Sequence, residues 1–518
     1  MKIMTQETKS TLNETILDDR LAQLERARNW SPRVISKLEA FIRSADDYTL
    51  FRVDPVQYAT EKGMDENEAI DLFLHAAKLN IFDLEWNLIC ACCGQVFISL
   101  RGMSNLHGHF ICNVCRMENN SQLDDFIQVS FTIAPTIREI IFHTPYKLSA
   151  HEYFYRYRLA RSVYKMPEHV AIDEFLERYV LALNYLEPGQ AMSADVKMTP
   201  GLVYGGDLLH RTVFTFFASP STDGIEPPSV HVKLGLPDIE VNEPQTHSQV
   251  IEVTAHRGQQ RFELTHFAEL PTGDSQWQIV NNLNERACVW IADLPSDILE
   301  TWLEMPPFLS GKRLLTTQTF RNLYRSEVID NNEGLGVRDL TFLFTDLKGS
   351  TAMYDKLGDL KAYHLVRQHF DALNQVIVKH SGAIVKTIGD AVMATFCTPL
   401  EGIQAGLEIL GAIDEFNHGR TEQLILKIGV HTGNSIAVTL NERLDYFGQT
   451  VNIAARVQQQ AQANEVYISQ DVYSYPGVTD FLGQFTVTSA QVNVKGVSSM
   501  LQLYKITSQK SKAEQTMT

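Results

Sequence analysis

A chain of 518 residues that is 44% hydrophobic and 21% charged has room for several domains with cores of their own and is too apolar to be disordered. Its net charge of -17 excludes a protein that wraps nucleic acid non-specifically, and means that a polyphosphate ligand would need bound cations. Seven cysteines, five of them between Cys90 and Cys115, suit a metal site better than a disulfide framework. No apolar run approaches the roughly 18 residues of a membrane span, and MKIMTQETKSTLNE lacks the apolar core of a secretion signal, so a cytosolic protein without membrane insertion is expected.

Residues 1–85 read as a helical unit. In NEAIDLFLHAAKLN, Ala69, Leu72, Phe73, Ala76 and Ala77 recur at helical spacing, with Asp65 placed as a cap. Helices packing on the next domain are favoured over a helix-turn-helix, because no basic recognition helix is evident. Residues 86–120 hold Cys90, Cys93, Cys112 and Cys115, two C-x2-C pairs separated by eighteen residues, a spacing that fits a structural zinc-ribbon-like site. Cys92 is spare, and His107 and His109 are alternative ligands. The intervening ISLRGMSNLHGHFI is only weakly basic, so no nucleic-acid partner is expected.

Residues 121–310 change to short stretches rich in Val, Ile, Phe and Thr: FIQVSFTI, TVFTFFA, SVHVKLGL, QVIEVTA, RFELTH, WQIVNN and ACVWIA. They imply a β-rich regulatory domain, a sandwich with a helical insertion near residues 150–190. Gly205, Gly206 and Asp207 match part of a diguanylate cyclase signature, but no supporting acidic residue follows, and a turn is the expected reading. In residues 311–336, Phe320, Leu323, Tyr324 and Val328 fall on one helical face before Gly334 and Gly336. A coupling helix and a plain linker are equally open there. Residues 508–518 are polar and expected to be a disordered tail.

From 337 to 507 strands and helices alternate, which predicts helices covering a sheet. Asp346 ends the strand LTFLFT, and Lys348, Gly349, Ser350 and Thr351 follow, where backbone amides suit phosphates. Asp390 sits at a Gly-Asp turn between AIVKT and AVMATF. If the first strand lies beside that hairpin, both carboxylates meet at one edge, where hard oxygen ligands suit Mg or Mn. Asn452 and Arg456 are four residues apart, hence on one helix face.

FLFTDLKGST, KTIGDAVMATF and DYFGQTVNIAAR resemble the three signature segments of class III nucleotide cyclases, from about Leu340 to Ile506. The resemblance implies an α+β multidomain protein whose C-terminal domain is a ferredoxin-like α/β sandwich working as a homodimer. It implies conversion of ATP to 3',5'-cyclic AMP and pyrophosphate with two Mg or Mn ions on Asp346, Asp390 and the backbone carbonyl of Leu347. Lys386 and Asp445 stand at base-reading positions, Asn452 at the ribose, Arg456 at the phosphorus centre, and Lys495 at a triphosphate contact. An ammonium beside a carboxylate matches the adenine edge, whereas guanine's reversed edge wants an acid at Lys386. Metal carboxylates come from one subunit and the base-reading, Asn and Arg residues from its partner. GNSIAVTLNERLDYFG is the expected site of dimer contacts, although TLNERL departs from the small, glycine-rich stretch common there.

The region from about 30 to 325, with EKGMDENEAIDLFLHAAKLNIFDLEW, the paired CxxC and TFRNLYRSEV, resembles an uncharacterised module preceding some bacterial cyclase domains. That suggests regulation by an unknown ligand or protein. The alternatives are a nucleotide sensor without turnover, a zinc-ribbon nucleic-acid regulator carrying a cyclase-like domain and, as a minor variant, a guanylate cyclase.

Overall fold

The computed structural model describes residues 11–106, 109–112, 118–120, 126–161, 163–210, 212–220, 229–234, 250–255, 268–295, 302–325, 327, 329, 334–493 and 500–509. Cys115, His107, RFELTH, Val328 and Lys495, singled out from sequence, lie outside that set, as does most of the expected tail.

Four helices open the chain: Glu14–Ala27, Val34–Ser44, Pro55–Lys62 and Glu66–Lys78. The last starts where expected, because the Asp65 carboxylate accepts from the Glu68 amide at 2.9 Å. Its apolar stripe buries Ala69, Leu72, Phe73 and Ala76. The Phe73 ring meets Phe82 and Phe131 at centroid distances of 5.1 and 5.3 Å, fastening the helix to a three-stranded antiparallel sheet. In that sheet Phe82–Ile89 lies between Val96–Leu100 and Ile127–Ile133. Ile127–Ile133 was expected with the β-rich region. It is buried along its whole length, and therefore belongs between the helices and the following segments, with no face left for solvent.

The β-rich region is a sandwich. One sheet orders Ala268–Pro271, Thr212–Ser219, Gly201–Asp207, Ala287–Pro295 and Val180–Leu186; the other orders Val250–Ala255, Ser229–Leu234, Gly273–Asn281 and Ala191–Met198. Phe214, Phe216, Trp277, Val230 and Ile291 fill the space between them. The GGD segment is not the expected turn. Gly205 and Gly206 are inside strand Gly201–Asp207, and a Cβ on Gly205 would stand 2.4 Å from Phe214 Cζ, so the glycine is there to admit that ring. The expected helical insertion near 150–190 is the π-helix Glu152–Tyr157 and the short helix Ile172–Glu177, with strands around them.

The C-terminal sheet runs Ala383–Ile388, Ala391–Phe396, Leu335–Leu347, Leu426–Leu440, Glu465–Ser469, Leu501–Gln509 and Phe485–Val492, with Arg443–Phe447 added onto Leu426–Leu440. Helices Asp359–Lys379 and Pro399–Asn417 cover one face through Leu373, Ile377, Ile403 and Ile409. Helix Gln449–Gln460 lies on the other, where Phe342, Phe344, Tyr446 and Ala454 are continuous with the core of the amino-terminal helices. Among the described residues, no helix is long and apolar enough to cross a membrane.

Candidate active site

Strand Leu335–Leu347 alternates its side chains between the two sheet faces and ends at the site. Thr345 is in register with Val392, and Ile388 with Ala391, which puts half-buried Asp346 one step from the two-residue turn Gly389–Asp390. Gly389 has φ of +64°, a conformation that a side chain resists. The two carboxylates thus share one sheet edge. Asp346 is held above the usual carboxylate range by burial and then by the Asp390 charge, against the pull of Lys427. Asp390 Oδ2 is buried without a hydrogen-bond partner. An orphaned carboxylate oxygen beside a second carboxylate that responds to its charge fits a hard divalent ion such as Mg or Mn.

Lys348 and Gly349 turn the chain away from the strand end, with Gly349 left-handed at φ +77° ahead of helix Ser350–Leu357. A cavity of about 210 Å³ opens there, lined by Leu347, Lys348, Gly349 and Ser350; Thr351 is exposed on the helix. The first amides of that helix have no partners within it, the arrangement that suits an anion.

Lys386 Nζ lies 2.5 Å from Asp445 Oδ2. The pair is assembled by two hairpins: Ala383–Ile388 carries the lysine just past a bulge at Val385, and Arg443–Phe447 carries the aspartate. The Asp445 side chain is 10% exposed and that of Lys386 40%. The departure at TLNERL has a local reason. Asn441 and Glu442 both take positive φ, closing a tight two-residue turn between Leu440 and Arg443 without glycine. Ile436, Leu440 and Phe447 remain exposed on this hairpin.

Asn452 and Arg456 fall on helix Gln449–Gln460 one turn apart, Asn452 exposed and Arg456 half-buried. Ala454, Val457 and Gln458 seat the helix on strand Leu426–Leu440. Gly429 makes the close approach possible, since a Cβ there would lie 2.2 Å from the Gln458 amide nitrogen.

The amino-terminal module reaches both sides of the Lys386–Asp445 pair. Gln318 Oε1 accepts from the Ile384 amide at 2.8 Å, and Arg321 Nη2 donates to the Leu444 carbonyl at 2.7 Å. Both residues belong to helix Gln318–Leu323, whose Phe320 packs edge-on against Trp86 of the three-stranded sheet. This helix therefore touches both the three-stranded sheet and the C-terminal sheet. In the cysteine region, the sulfurs of Cys90, Cys93 and Cys112 lie within 4.8 Å of one another, and Cys92 is exposed. Thiolates on one tetrahedral zinc would be about 3.8 Å apart, so this group fits a metal.

Two polar residues near the carboxylates had not been singled out. Lys427 is in register with Asp346 across the strand pair, and buried His369 on helix Asp359–Lys379 feels the Asp390 charge while burial holds its pKa below the usual value. Register and packing reveal them; no spacing in the sequence does.

The family described as "Adenylate and Guanylate cyclase catalytic domain" matches residues 336–508, and "Family of unknown function (DUF5939)" matches 17–207. Residues 336–508 are a class III nucleotide cyclase catalytic domain. The cyclase domain is 25% identical over 175 residues to the receptor-type guanylate cyclase gcy-13 of Caenorhabditis elegans, covering 31% of this chain and 17% of that protein. An adenylate cyclase of Anabaena cylindrica is 25% identical over 210 residues, covering 36% of this chain and 41% of that protein. The match therefore spans less than half the length of either relative. Among solved structures, the adenylyl cyclase CyaB from P. aeruginosa is similar at 23% identity and a TM-score of 0.31, covering 34% of this chain and 97% of that one. The relatives include both adenylate and guanylate cyclases.

Proposed function

We propose that the chain is an adenylate cyclase, forming 3',5'-cyclic AMP and pyrophosphate from ATP in a site shared by two copies. The observation that carries this reading is the Lys386–Asp445 pair at 2.5 Å. A donor and an acceptor held together match the ring nitrogen and amino group of adenine, and reject guanine by leaving buried polar groups unpaired. Asp346 and Asp390 would hold the divalent ions, which when bound lower the pKa of the ribose 3'-hydroxyl and offset charge on the departing pyrophosphate. Asn452 of the other copy orients the ribose, so that the 3'-oxygen lies in line with the α-phosphorus. Arg456 offers a planar fork that stays charged and steadies the oxygens of that phosphorus. The amides around Lys348, Gly349, Ser350 and Thr351 take the β- and γ-phosphates, and Lys495 is assigned to the same group. Exposed Ile436, Leu440 and Phe447 are the apolar surface that a second copy would cover. Cys90, Cys93 and Cys112, with Cys115 as fourth ligand, hold a structural zinc, and the amino-terminal module regulates the alignment of the two halves.

Purified protein given ATP with Mn or Mg yields cyclic AMP on this reading, and Asp390→Asn abolishes it. A preparation of Asp346→Ala mixed with Arg456→Ala recovers activity that neither has alone, because the mixed dimer retains one intact site. No recovery on mixing, with both variants dimeric, refutes the shared site. Guanylate cyclisation is the second reading, favoured by relatives such as gcy-13. Faster turnover of GTP than of ATP would establish it.

A further inference from the structure

One cavity lies far along the chain from the cyclase signature residues. It measures about 600 Å³, within the range of small-molecule sites, and opens where the three-stranded sheet meets the β-sandwich. Three arginines line it, Arg52, Arg158 and Arg286, in a chain whose net charge is -17. Among the described residues that line it, the one carboxylate is Glu285, which already accepts from His210 Nε2 at 3.0 Å. His210 in turn holds buried Asp207 through Nδ1 at 2.5 Å.

Arg52 and Arg158 are short of acceptors. Arg52 is 7% exposed; its Nη1 and Nη2 donate to the Tyr157 carbonyl and Ser99 hydroxyl, Nε has no acceptor, and the closest carboxylate oxygen, on Glu85, is 4.0 Å away. Arg158 buries Nε and Nη2 with neither hydrogen-bonded. Those two nitrogens form the edge of a guanidinium that grips a carboxylate or phosphate in two parallel bonds. Arg286, whose side chain is 39% exposed, lies 3.5 Å over the Tyr185 ring, donates to the Tyr146 carbonyl and pairs with the Glu187 carboxylate at 3.3 Å. Buried guanidinium nitrogens left unpaired, as on Arg52 and Arg158, are costly, and an anion among them relieves that cost.

The remaining wall is aromatic. Tyr153 and Tyr157 stack at 5.5 Å with 19° between their planes, and Tyr185 carries a buried hydroxyl without a partner. Tyr153, Tyr157 and Arg158 come together because residues 152–157 are a π-helix, in which the Arg158 amide reaches back five residues to the Tyr153 carbonyl at 3.0 Å. Single π turns are uncommon and concentrate at functional sites. The cysteine knuckle braces the same wall, since the Val96 amide donates to the Arg158 carbonyl and the Ala160 amide to the Gly94 carbonyl.

We propose that this cavity is a binding site for a small aromatic anion, a flat ring bearing a carboxylate or phosphate, with Arg158 and Arg286 taking the charge and the tyrosines the ring. The proposal concerns binding alone and stands whether or not the chain cyclises ATP. Calorimetric titration of the full chain with phenyl phosphate and with benzoate, in saturating ATP to fill the cyclase end, tests it. At least one aryl anion binds saturably at one site per chain with Kd below about 1 mM. Phenol, which lacks the charge, does not bind, and inorganic phosphate, which lacks the ring, binds at least tenfold more weakly. Preference for phenyl phosphate identifies a phosphoryl ligand, and preference for benzoate a carboxylate. Arg158→Gln and the more exposed Arg286→Gln each weaken binding tenfold or more while leaving fluorescent ATP-analogue binding unchanged. Failure of both aryl anions to bind up to about 10 mM, or undiminished binding in both variants, overturns the proposal.

Discussion

Gly429→Ala tests how closely the Asn452–Arg456 helix must sit on its strand. The added Cβ would stand 2.2 Å from the Gln458 amide nitrogen and 2.4 Å from its Cα, both backbone atoms that no rotamer change can move aside. Ordinary contact needs about 3.5 Å, so strand and helix must separate by roughly 1 Å. Gln458 is two residues past Arg456, so the displacement reaches the arginine nearly undiminished. Misplacing a catalytic group by about 1 Å costs on the order of 100-fold in rate, whereas the overpacking itself costs about 1–3 kcal/mol, within what a folded domain tolerates. Initial rates of cyclic AMP formation, with circular dichroism and thermal melting on the same samples, separate the two effects. Gly411→Ala is the control: nothing lies within 4 Å of its Cβ, and alanine in that exposed helical position stabilises by up to about 1 kcal/mol without touching the rate. A folded Gly429→Ala protein with turnover within threefold of the parent would refute the argument.

Burial pushes the Asp54 carboxyl up to about 6, against hydrogen bonds from Gln128, Leu309 and the helix amides of Val56 and Gln57. The unfolded chain therefore ionises first as pH rises from 4 to 6, and stability falls across that window. Urea unfolding at pH 4.5 and 7.5 should show the parent losing about 2 kcal/mol more than Asp54→Asn over that range. Cys112→Ser, removing a sulfur 3.5 Å from Cys93 Sγ, lowers the bound zinc measured by elemental analysis from one per chain toward zero, and dialysis against a chelator reproduces the loss in the parent. Gly205→Ala forces the Phe214 ring or the Trp290 carbonyl aside and lowers stability by about 1–3 kcal/mol in chemical denaturation; an unchanged midpoint would show that the strands part freely.

Much of the catalytic end was legible because its chemistry is local. The Gly-Asp turn, the strand ending in Asp346 and the four-residue spacing of Asn452 and Arg456 each lie within one short segment, and each is found as expected. The cap at Asp65 and the stripe of Glu66–Lys78 were readable for the same reason. The GGD segment shows the limit. Paired glycines ahead of an aspartate favour a turn locally, yet the partner ring of Phe214 decides for a strand.

The sequence by itself determined which candidate groups lie along which short segments, because capping, turn geometry and side-chain periodicity act over a few residues. Only tertiary structure decided which groups meet. It set Lys386 against Asp445 across 59 positions, laid Lys427 opposite Asp346, and wedged helix Gln318–Leu323 beside the first of these pairs. It also gathered Arg52, Arg158 and Arg286 around one cavity from three separate stretches of chain. Those meetings depend on strand register and on the packing of one core against another, and a residue's neighbours in sequence carry no information about either.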